Sequence, residues 1–157
     1  MSFSKVYSAQ TQLLQVTQIS VETDISRGLH AFAIVGLPDK AVEEARDRVS
    51  AAIKNSGFDS PKAKNHKIIV SLAPADVKKE GTLFDLAIAL SYLVATGDIT
   101  FESEGKLFLG ELSLDGKVRP VHGILPIARF ALQKGYKELY VPEENVLEAA
   151  LIDGVNI

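Results

Sequence analysis

The segment from Asp85 to Thr96, DLAIALSYLVAT, constrains the fold most, because it is apolar on nearly every face of a helix. Such a helix is stable only when other elements surround it, since one-sided packing would leave apolar side chains in water. We therefore predict a central buried helix. The chain of 157 residues suits one domain with a sizeable core, so we expect residues 1–157 to form that domain.

The residues before this helix predict three strands, a helix and a fourth strand. Residues 5–11 and 15–25 have extended patterns, and residues 29–35 form a short apolar strand that ends at Gly36. The first helix should begin with Pro38 in its first turn, where a missing N–H costs nothing, and should end at Gly57. Residues 67–73 form the next strand, which Pro74 terminates.

The residues after the central helix predict a hairpin, two helices and further strands. Residues 106–121 flank Asp115-Gly116, a pair typical of a type I′ turn. A third helix is expected at 123–134, a strand at 138–141, and a fourth helix from Pro142 to about Gly154. Residues 155–157 look like the start of another strand, so we expect the chain to continue. The pattern predicts an α/β fold with a mixed sheet and about four helices.

Charge is balanced overall but uneven along the chain. The net charge of −3 indicates no general affinity for nucleic acid. Between residues 54 and 79, six lysines stand against only two aspartates. We define the basic stretch as Lys54, Lys62, Lys64, Lys67, Lys78 and Lys79. Two interpretations stay open, a solvated surface around the entry to a strand and a surface that contacts phosphate or a partner.

Several chemistries are excluded or unsupported by residue type and spacing. The absence of cysteine removes disulfides, thiolate nucleophiles and Cys-ligated zinc. No apolar run reaches the ~18 residues that span a bilayer, and the N-terminus lacks the pattern of a signal peptide, so we expect a cytoplasmic protein without membrane contact. The stretch Gly110 to Lys117 has neither the spacing nor the hydroxyl of a phosphate loop.

The three histidines, 30, 66 and 122, are isolated in sequence, and we predict no metal site. A Ser-His-Asp triad stays open, because triads assemble only in three dimensions.

Three charged residues stand out on the predicted helices. Asp85 begins the apolar helix, where a carboxylate can accept hydrogen bonds from the free N–H groups of the first turn. We favour that capping role. Arg46 and Arg48, on the first helix, are expected either to pair with its glutamates or to face a partner.

Seven stretches, in this order along nearly the whole chain, together carry a resemblance that none carries alone. They are Val35–Asp39, Glu44–Val49, Ile53–Gly57, Val70–Asp76, Lys79–Gly81, Asp85–Leu90 and Gly110–Pro120. The set resembles the N-terminal domain of the Mg-chelatase-like AAA+ ATPases of the YifB/ComM type. This resemblance implies an α/β (α+β) fold like that of the Lon protease domain, in the ribosomal protein S-five domain-two-like superfold. The motif residues are Gly36, Leu37, Pro38, Asp39, Arg46, Arg48, Pro74, Asp76, Gly81, Asp85, Gly110 and Glu111.

The same resemblance marks the positions where Lon proteases carry their catalytic serine and lysine. Aligning the stretch around Gly81 places Leu83 at the serine position, and aligning the stretch after Gly116 places Leu125 at the lysine position. Leucine can neither attack a carbonyl nor accept a proton. The resemblance therefore implies no catalytic residue in this segment. A Lon-type serine or threonine peptidase, with Thr82 as a shifted nucleophile, is the alternative.

The resemblance also implies a longer protein. An AAA+ module with ATP and Mg would follow Ile157, while this segment would hold no cofactor and no metal. The implied role is a non-catalytic accessory and assembly domain in DNA processing, including branch migration during competence. The implied partners are its own AAA+ module, other subunits of a homo-oligomeric ring, and DNA through the basic stretch. A third function is metal insertion into a porphyrin, as the family name suggests.

Overall fold

A computed structural model describes residues 2–157. The strands and helices, in chain order, are β1 (Ser2–Gln12), β2 (Gln15–Arg27), β3 (Ala31–Val35), α1 (Lys40–Glu43), α2 (Ala45–Asn55), β4 (His66–Ala73), α3 (Asp85–Thr96), β5 (Lys106–Phe108), β6 (Glu111–Leu112), β7 (Val118–Arg119), α4 (Ile124–Lys134), β8 (Glu138–Tyr140) and α5 (Val146–Ala149). Short 3₁₀ turns occupy Pro61–Ala63 and Glu143–Asn145. In the part of the chain that the structure describes, no helix is long and apolar enough to cross a membrane.

The main sheet has four strands in the order β1-β2-β4-β3. The β1–β2 and β2–β4 pairs are antiparallel, whereas β3 and β4 are parallel. Parallel neighbours need a crossover, and α1 and α2 supply it. The predicted α/β class with a mixed sheet is confirmed.

The central helix α3 is buried as predicted, and it packs against β1 and β2. The hydroxyl of Ser91 on this helix is buried, and it has hydrogen-bond partners on the sheet. The Ser91 Oγ lies 2.7 Å from the Thr23 Oγ1 and 2.9 Å from the Ser4 Oγ. Three hydroxyls from α3, β2 and β1 therefore satisfy one another inside an aliphatic core, which fixes the helix on the sheet.

The core has two parts. One lies between the sheet and the helices α2 and α3, and it includes Ile68, Val70 and Leu72 of β4. The other surrounds α4 and the parallel pair β5–β8. The space between these two parts is bordered by the end of β1 and by the loop that precedes α3, which is where the candidate site lies.

The first predicted helix differs from expectation at its start. Pro38 is not in the first turn; it precedes the N-cap residue Asp39 and forms an isolated parallel bridge with Lys79. Glu44 separates α1 from α2, although its backbone remains right-handed. The fourth predicted helix is also shorter than expected, because after Pro142 the chain forms only the 3₁₀ turn and the four residues of α5.

The predicted hairpin is only partly present. β5 pairs in parallel with β8, so only β6 and β7 form antiparallel partners. The turn is not type I′, because that turn needs positive φ at both central residues and only Gly116 has it, at 93°. Asp115 instead accepts a hydrogen bond from the Lys117 N–H at 3.0 Å. The predicted turn position was right and the predicted turn type was wrong.

Candidate functional site

The candidate site is a cavity of about 360 Å³ beside the loop that leads into α3. Four separate parts of the chain border it, namely the end of β1, the loop itself, β6, and the segment between β7 and α4. The lining residues are Gln10, Thr11, Glu80, Gly81, Thr82, Leu83, Glu111, Pro120, Val121 and His122. We call the segment from Glu80 to Leu83 the site loop.

Lys79, directly before the site loop, is fully buried. Its Nζ donates to the carbonyl oxygen of Gly36 at 2.7 Å and also to that of Pro74. Burial lowers the pKa of Lys79, and the negative charge of Asp76 opposes that shift in part. The assignment of Lys79 to an exposed phosphate-contacting surface is therefore wrong. Its ammonium group joins two loops inside the protein.

Asp39 links the start of α1 to the site loop. One carboxylate oxygen accepts a hydrogen bond from the Val42 N–H at 2.8 Å, which caps the helix. The other oxygen accepts from the Gly81 N–H at 3.1 Å. Backbone bonds join the same segments, since the Asp39 N–H donates to the Lys79 carbonyl at 2.9 Å. The short side chain of Asp39 thus holds the helix and the loop in one arrangement.

Gln10 holds the other side of the site loop. Its Nε2 donates to the Lys78 carbonyl at 2.7 Å, and its Oε1 accepts from the Glu80 N–H at 3.3 Å. The sequence pattern did not mark Gln10 or Thr11 as site residues, and it marked His122 only as an isolated histidine. Gln10 left one signal, because it continues the buried face of β1 that carries Ser4, Val6 and Ser8. A polar residue at such a position requires a partner.

The positions aligned with the Lon catalytic pair are apolar, and they do not share the cavity. Leu83 lines it, whereas Leu125 lies on α4, is 38% exposed and is not among the lining residues. Thr82 and His122 do line it. Within residues 2–157, however, the Thr82 hydroxyl has no hydrogen bond to a base, and the neighbouring Lys79 ammonium is bound to carbonyl groups. The cavity therefore contains no assembled pair of nucleophile and base.

Asp85 does not cap α3, so the predicted capping role is wrong. Its carboxylate forms a two-pronged ion pair with Arg48, with distances of 2.7 Å from Nε to Oδ2 and 3.0 Å from NH2 to Oδ1. The Leu112 N–H also donates to Oδ2, at 3.1 Å. Burial raises the pKa of Asp85, and these donors oppose the shift. Arg48 therefore pairs with Asp85 rather than with Glu43 or Glu44.

The other motif residues form turns and tight contacts around the site. Gly36 has φ of 106°, and a Cβ there would lie 2.1 Å from the Leu72 carbonyl oxygen, so only glycine fits. Gly110 is similarly crowded, by Val118. Leu37, with φ of 55°, is exposed. Arg46 is exposed, and its Nε donates to the Glu43 carbonyl at 3.0 Å.

The remaining lysines of the basic stretch do not form one surface. Lys62 pairs with Asp47 at 3.2 Å and Lys64 pairs with Asp59 at 3.5 Å. Lys67 lies near the start of β4, whereas Lys78 follows the other end of this strand, which is about 20 Å from Lys67. Lys54 lies in the last turn of α2. Four of these lysines, 54, 62, 67 and 78, are exposed.

Comparisons with known proteins identify relatives over the whole chain. Residues 21–145 match the family model described as subunit ChlI of Mg-chelatase. The chain is 41% identical to the competence protein ComM of Haemophilus influenzae, over 99% of this chain and 30% of that protein. It is 43% identical to YifB of Escherichia coli K12, over 98% of this chain and 30% of that protein. The chain thus spans less than a third of the length of these relatives.

A shorter similarity connects the chain with a protease. Over 86 residues, 54% of this chain, it is 33% identical to Lon protease 2 of Bacillus subtilis, of which 15% is covered. This similarity agrees with the Lon-like α/β fold that the resemblance implied, with its mixed sheet and three main helices.

Proposed function

The chain belongs to the Mg-chelatase ChlI family, of the ComM and YifB type, and we propose that it serves as a non-catalytic accessory and assembly domain of an AAA+ ATPase that processes DNA. In this proposal residues 1–157 form the Lon-like domain. A module that binds ATP and Mg follows Ile157, because the relatives are about three times as long as this chain. The partners are that module, other subunits of a ring, and DNA in the cytoplasm.

The observation that carries the proposal is the chemistry of the cavity beside the site loop. A peptidase needs a nucleophile with a base within hydrogen-bond reach. Here Leu83 contributes an apolar side chain, and the lysine before the site loop donates to the carbonyls of Gly36 and Pro74. The Gln10 amide oxygen and the Asp39 carboxylate nevertheless hold the site loop, because they accept hydrogen bonds from the Glu80 and Gly81 N–H groups. A held loop beside a cavity in which no nucleophile is hydrogen-bonded to a base suits binding and assembly better than hydrolysis.

The competing function is a threonine peptidase, and one observation favours it. Thr82 and His122 line the same cavity, so a hydroxyl and an imidazole could approach each other there. Incubating the intact protein with an unstructured peptide, and measuring new N-termini by mass spectrometry, distinguishes the two functions. We expect no cleavage. Cleavage that disappears in Thr82→Ala would establish the peptidase and overturn the accessory role.

The assembly part is tested by comparing the intact protein with a version that lacks residues 1–157. We expect the truncated protein to lose subunit assembly in sedimentation measurements and to lose most of its DNA-stimulated ATP hydrolysis. Equal assembly and equal hydrolysis by the two proteins would contradict an assembly role.

The DNA part rests on Lys62, Lys64 and Lys67 near the entry to β4, of which Lys62 and Lys67 are exposed and Lys64 is half-buried. Reversing Lys62, Lys64 and Lys67 to glutamate should weaken DNA binding and reduce its dependence on salt, because fewer phosphate contacts release fewer counterions. Lys134 and Lys137 are exposed elsewhere and provide a matched control for charge reversal. If both sets of variants bind DNA equally, this face does not contact DNA, although assembly could still hold.

Metal insertion, as the family description suggests, is the third candidate function. Among residues 2–157, no three acidic or histidine side chains are grouped so as to hold a metal ion. We therefore assign no residue of this chain to that role.

A further inference from the structure

Residues near Ile157 pair with the outer edge of β8. On one side, β8 has β5 as its parallel neighbour. On the other side, Glu138 and Asn156 form an isolated parallel bridge, and the Leu139 N–H donates to the Asn156 carbonyl oxygen at 2.8 Å. Asn156 therefore begins a third parallel strand beside β5 and β8, and Val155 before it packs against the second core.

The next hydrogen-bonding groups on this edge of β8 are available to a further residue. In a parallel ladder, alternate residues of a strand direct both their N–H and their C=O towards the same neighbour. Because the Leu139 N–H faces Asn156, the Leu139 C=O and the Val141 N–H face that side as well. The Val141 N–H donates no hydrogen bond within residues 2–157. The residue directly after Ile157 is the one whose register allows it to bond both groups.

Apolar side chains are exposed at the end of β8 towards which this strand leads. A strand parallel to β8 runs towards Pro142, the 3₁₀ turn and α5, which follow β8 in the chain. Leu147 on α5 is 84% exposed, and Leu151, four residues later, is 73% exposed. Ala149 between them is buried, so α5 packs through one face and leaves both leucines on the other. Further exposed apolar residues in this part of the chain are Tyr140, Val146 and Ile157.

We propose that the segment following Ile157 in the intact protein completes the third strand along β8 and then covers Leu147 and Leu151. The inference rests on the proposed function, in which an ATP-binding module follows Ile157, and the relatives are long enough for it. A second copy of the chain is the less favourable cover. The residue after Ile157 is held beside the β8 edge by its own chain, so its effective concentration there is far higher.

The proposed strand gives the two parts of the protein a firm connection. Leu139 of β8 is buried in the second core, and the Tyr140 ring stacks on Phe108 of β5 with 4.7 Å between the ring centroids. A segment that is hydrogen-bonded to β8 is thereby joined to this core. The ATP-binding module then keeps a fixed position on this domain, whereas a flexible linker would let the two move independently.

Cysteine labelling of the intact protein tests whether the two leucines are covered. Residues 1–157 contain no cysteine, so one that is introduced there can be followed by mass spectrometry of its own peptide. We expect Leu147→Cys and Leu151→Cys to react with a maleimide about tenfold more slowly than Leu29→Cys, because a covered thiol is inaccessible. Leu29 is the matched control, since it is 92% exposed before β3.

Two labelling results would overturn the proposal. One is equal labelling rates for all three cysteines. The other is slow labelling of the two α5-side cysteines only at high protein concentration, which would assign the cover to a second copy.

Hydrogen exchange of the intact protein tests the strand itself. We expect the Val141 amide to exchange about tenfold or more slowly than the Glu143 amide, because a hydrogen bond to the added strand protects it. The Glu143 N–H is the matched control, since it also donates no hydrogen bond within residues 2–157. Equally fast exchange at the two amides would contradict the proposed pairing.

The inference and the proposed function fail in different ways. Exposed leucines in an intact protein that assembles and hydrolyses ATP contradict only the inference. An intact protein without ATP hydrolysis contradicts the proposed function, whatever the labelling rates are.

Discussion

The Arg48 guanidinium and the Asp85 carboxylate meet across 37 residues of sequence, with Nε 2.7 Å from Oδ2 and NH2 3.0 Å from Oδ1. The pair joins α2 to the first turn of the central helix. The same carboxylate accepts from the Leu112 N–H, so three elements converge on one buried acidic group. Because Asp85 is 1% exposed, its charge depends on these partners rather than on water.

Removing the carboxylate should destabilise the fold strongly. We expect Asp85→Ala to lower the free energy of unfolding by about 3–5 kcal/mol, because Arg48 would be left partly buried without its partner. The matched control is Asp47→Ala, which breaks an exposed pair with Lys62 and should change stability by less than about 1 kcal/mol. Urea unfolding measures both. Similar losses in the two variants would mean that the buried pair has no special role.

A double variant distinguishes the cost of an unpaired Arg48 guanidinium from the cost of lost packing. Adding Arg48→Leu to Asp85→Ala should recover part of the stability, since no unpaired guanidinium remains. Strictly additive losses would show that the two residues do not act as a pair.

Lys79, the buried lysine before the site loop, should make the free energy of unfolding depend on pH, and the direction of its pKa shift gives the direction of that dependence. Burial lowers the pKa of Lys79 in the folded protein from its ordinary value of 10.5, so the unfolded chain binds this proton more tightly. Stability from this residue therefore rises as the pH increases toward 10.5. We expect the free energy of unfolding of the wild type to rise relative to that of Lys79→Met between pH 7 and pH 10. A constant or shrinking difference, in urea unfolding at several pH values, would contradict the shift.

Asp39 offers a test of how the site loop is held. Asp39→Ala should reduce stability by about 1–2 kcal/mol, because it removes both the helix cap and the bond from the Gly81 N–H. Asp39→Ser keeps a capping oxygen but cannot supply the second acceptor. We expect both variants to speed hydrogen exchange at the Gly81 amide, and only Ala to lose the full stability. Unchanged exchange at Gly81 would show that Asp39 does not hold the loop.

Gly36 is expected to tolerate no side chain. A Cβ would meet the Leu72 carbonyl oxygen at 2.1 Å, and the backbone φ is 106°. We expect Gly36→Ala to cost about 3 kcal/mol or more. Gly57 is the control for backbone strain alone, because its φ is 93° and an added Cβ would meet only open space. Gly57→Ala should therefore cost only about 1 kcal/mol. Thermal unfolding compares them, and equal losses would assign the whole effect to φ.

Local pattern was sufficient for much of the fold. The apolar segment from Asp85 to Thr96 predicted the bounds of α3, because a helix that is apolar on every face has no other stable place than the core. Strand alternation and Pro74 similarly marked where β2 lies and where β4 ends. These features depend on neighbours in sequence, which is why they can be read from it.

The partners of charged residues could not be read in this way. The sequence indicated a cap for Asp85, because the free N–H groups of the helix are its nearest neighbours in the chain. For Arg48 it left open the nearby glutamates or a partner. The structure pairs these two residues with each other, since burial makes an unpaired charge far more costly than an unsatisfied helix end. Lys79 was likewise grouped with its neighbours in sequence, and only the packing of the Gly36 and Pro74 loops placed it inside.

The sequence by itself therefore determined the class of fold, the central helix and the family. Only the tertiary structure decided that Gln10, Glu80, Glu111 and His122 border one cavity, because four distant segments meet there. Secondary structure follows from short-range periodicity, which the sequence shows directly. A site depends on contacts between residues that are far apart in the chain, and no local pattern predicts those contacts.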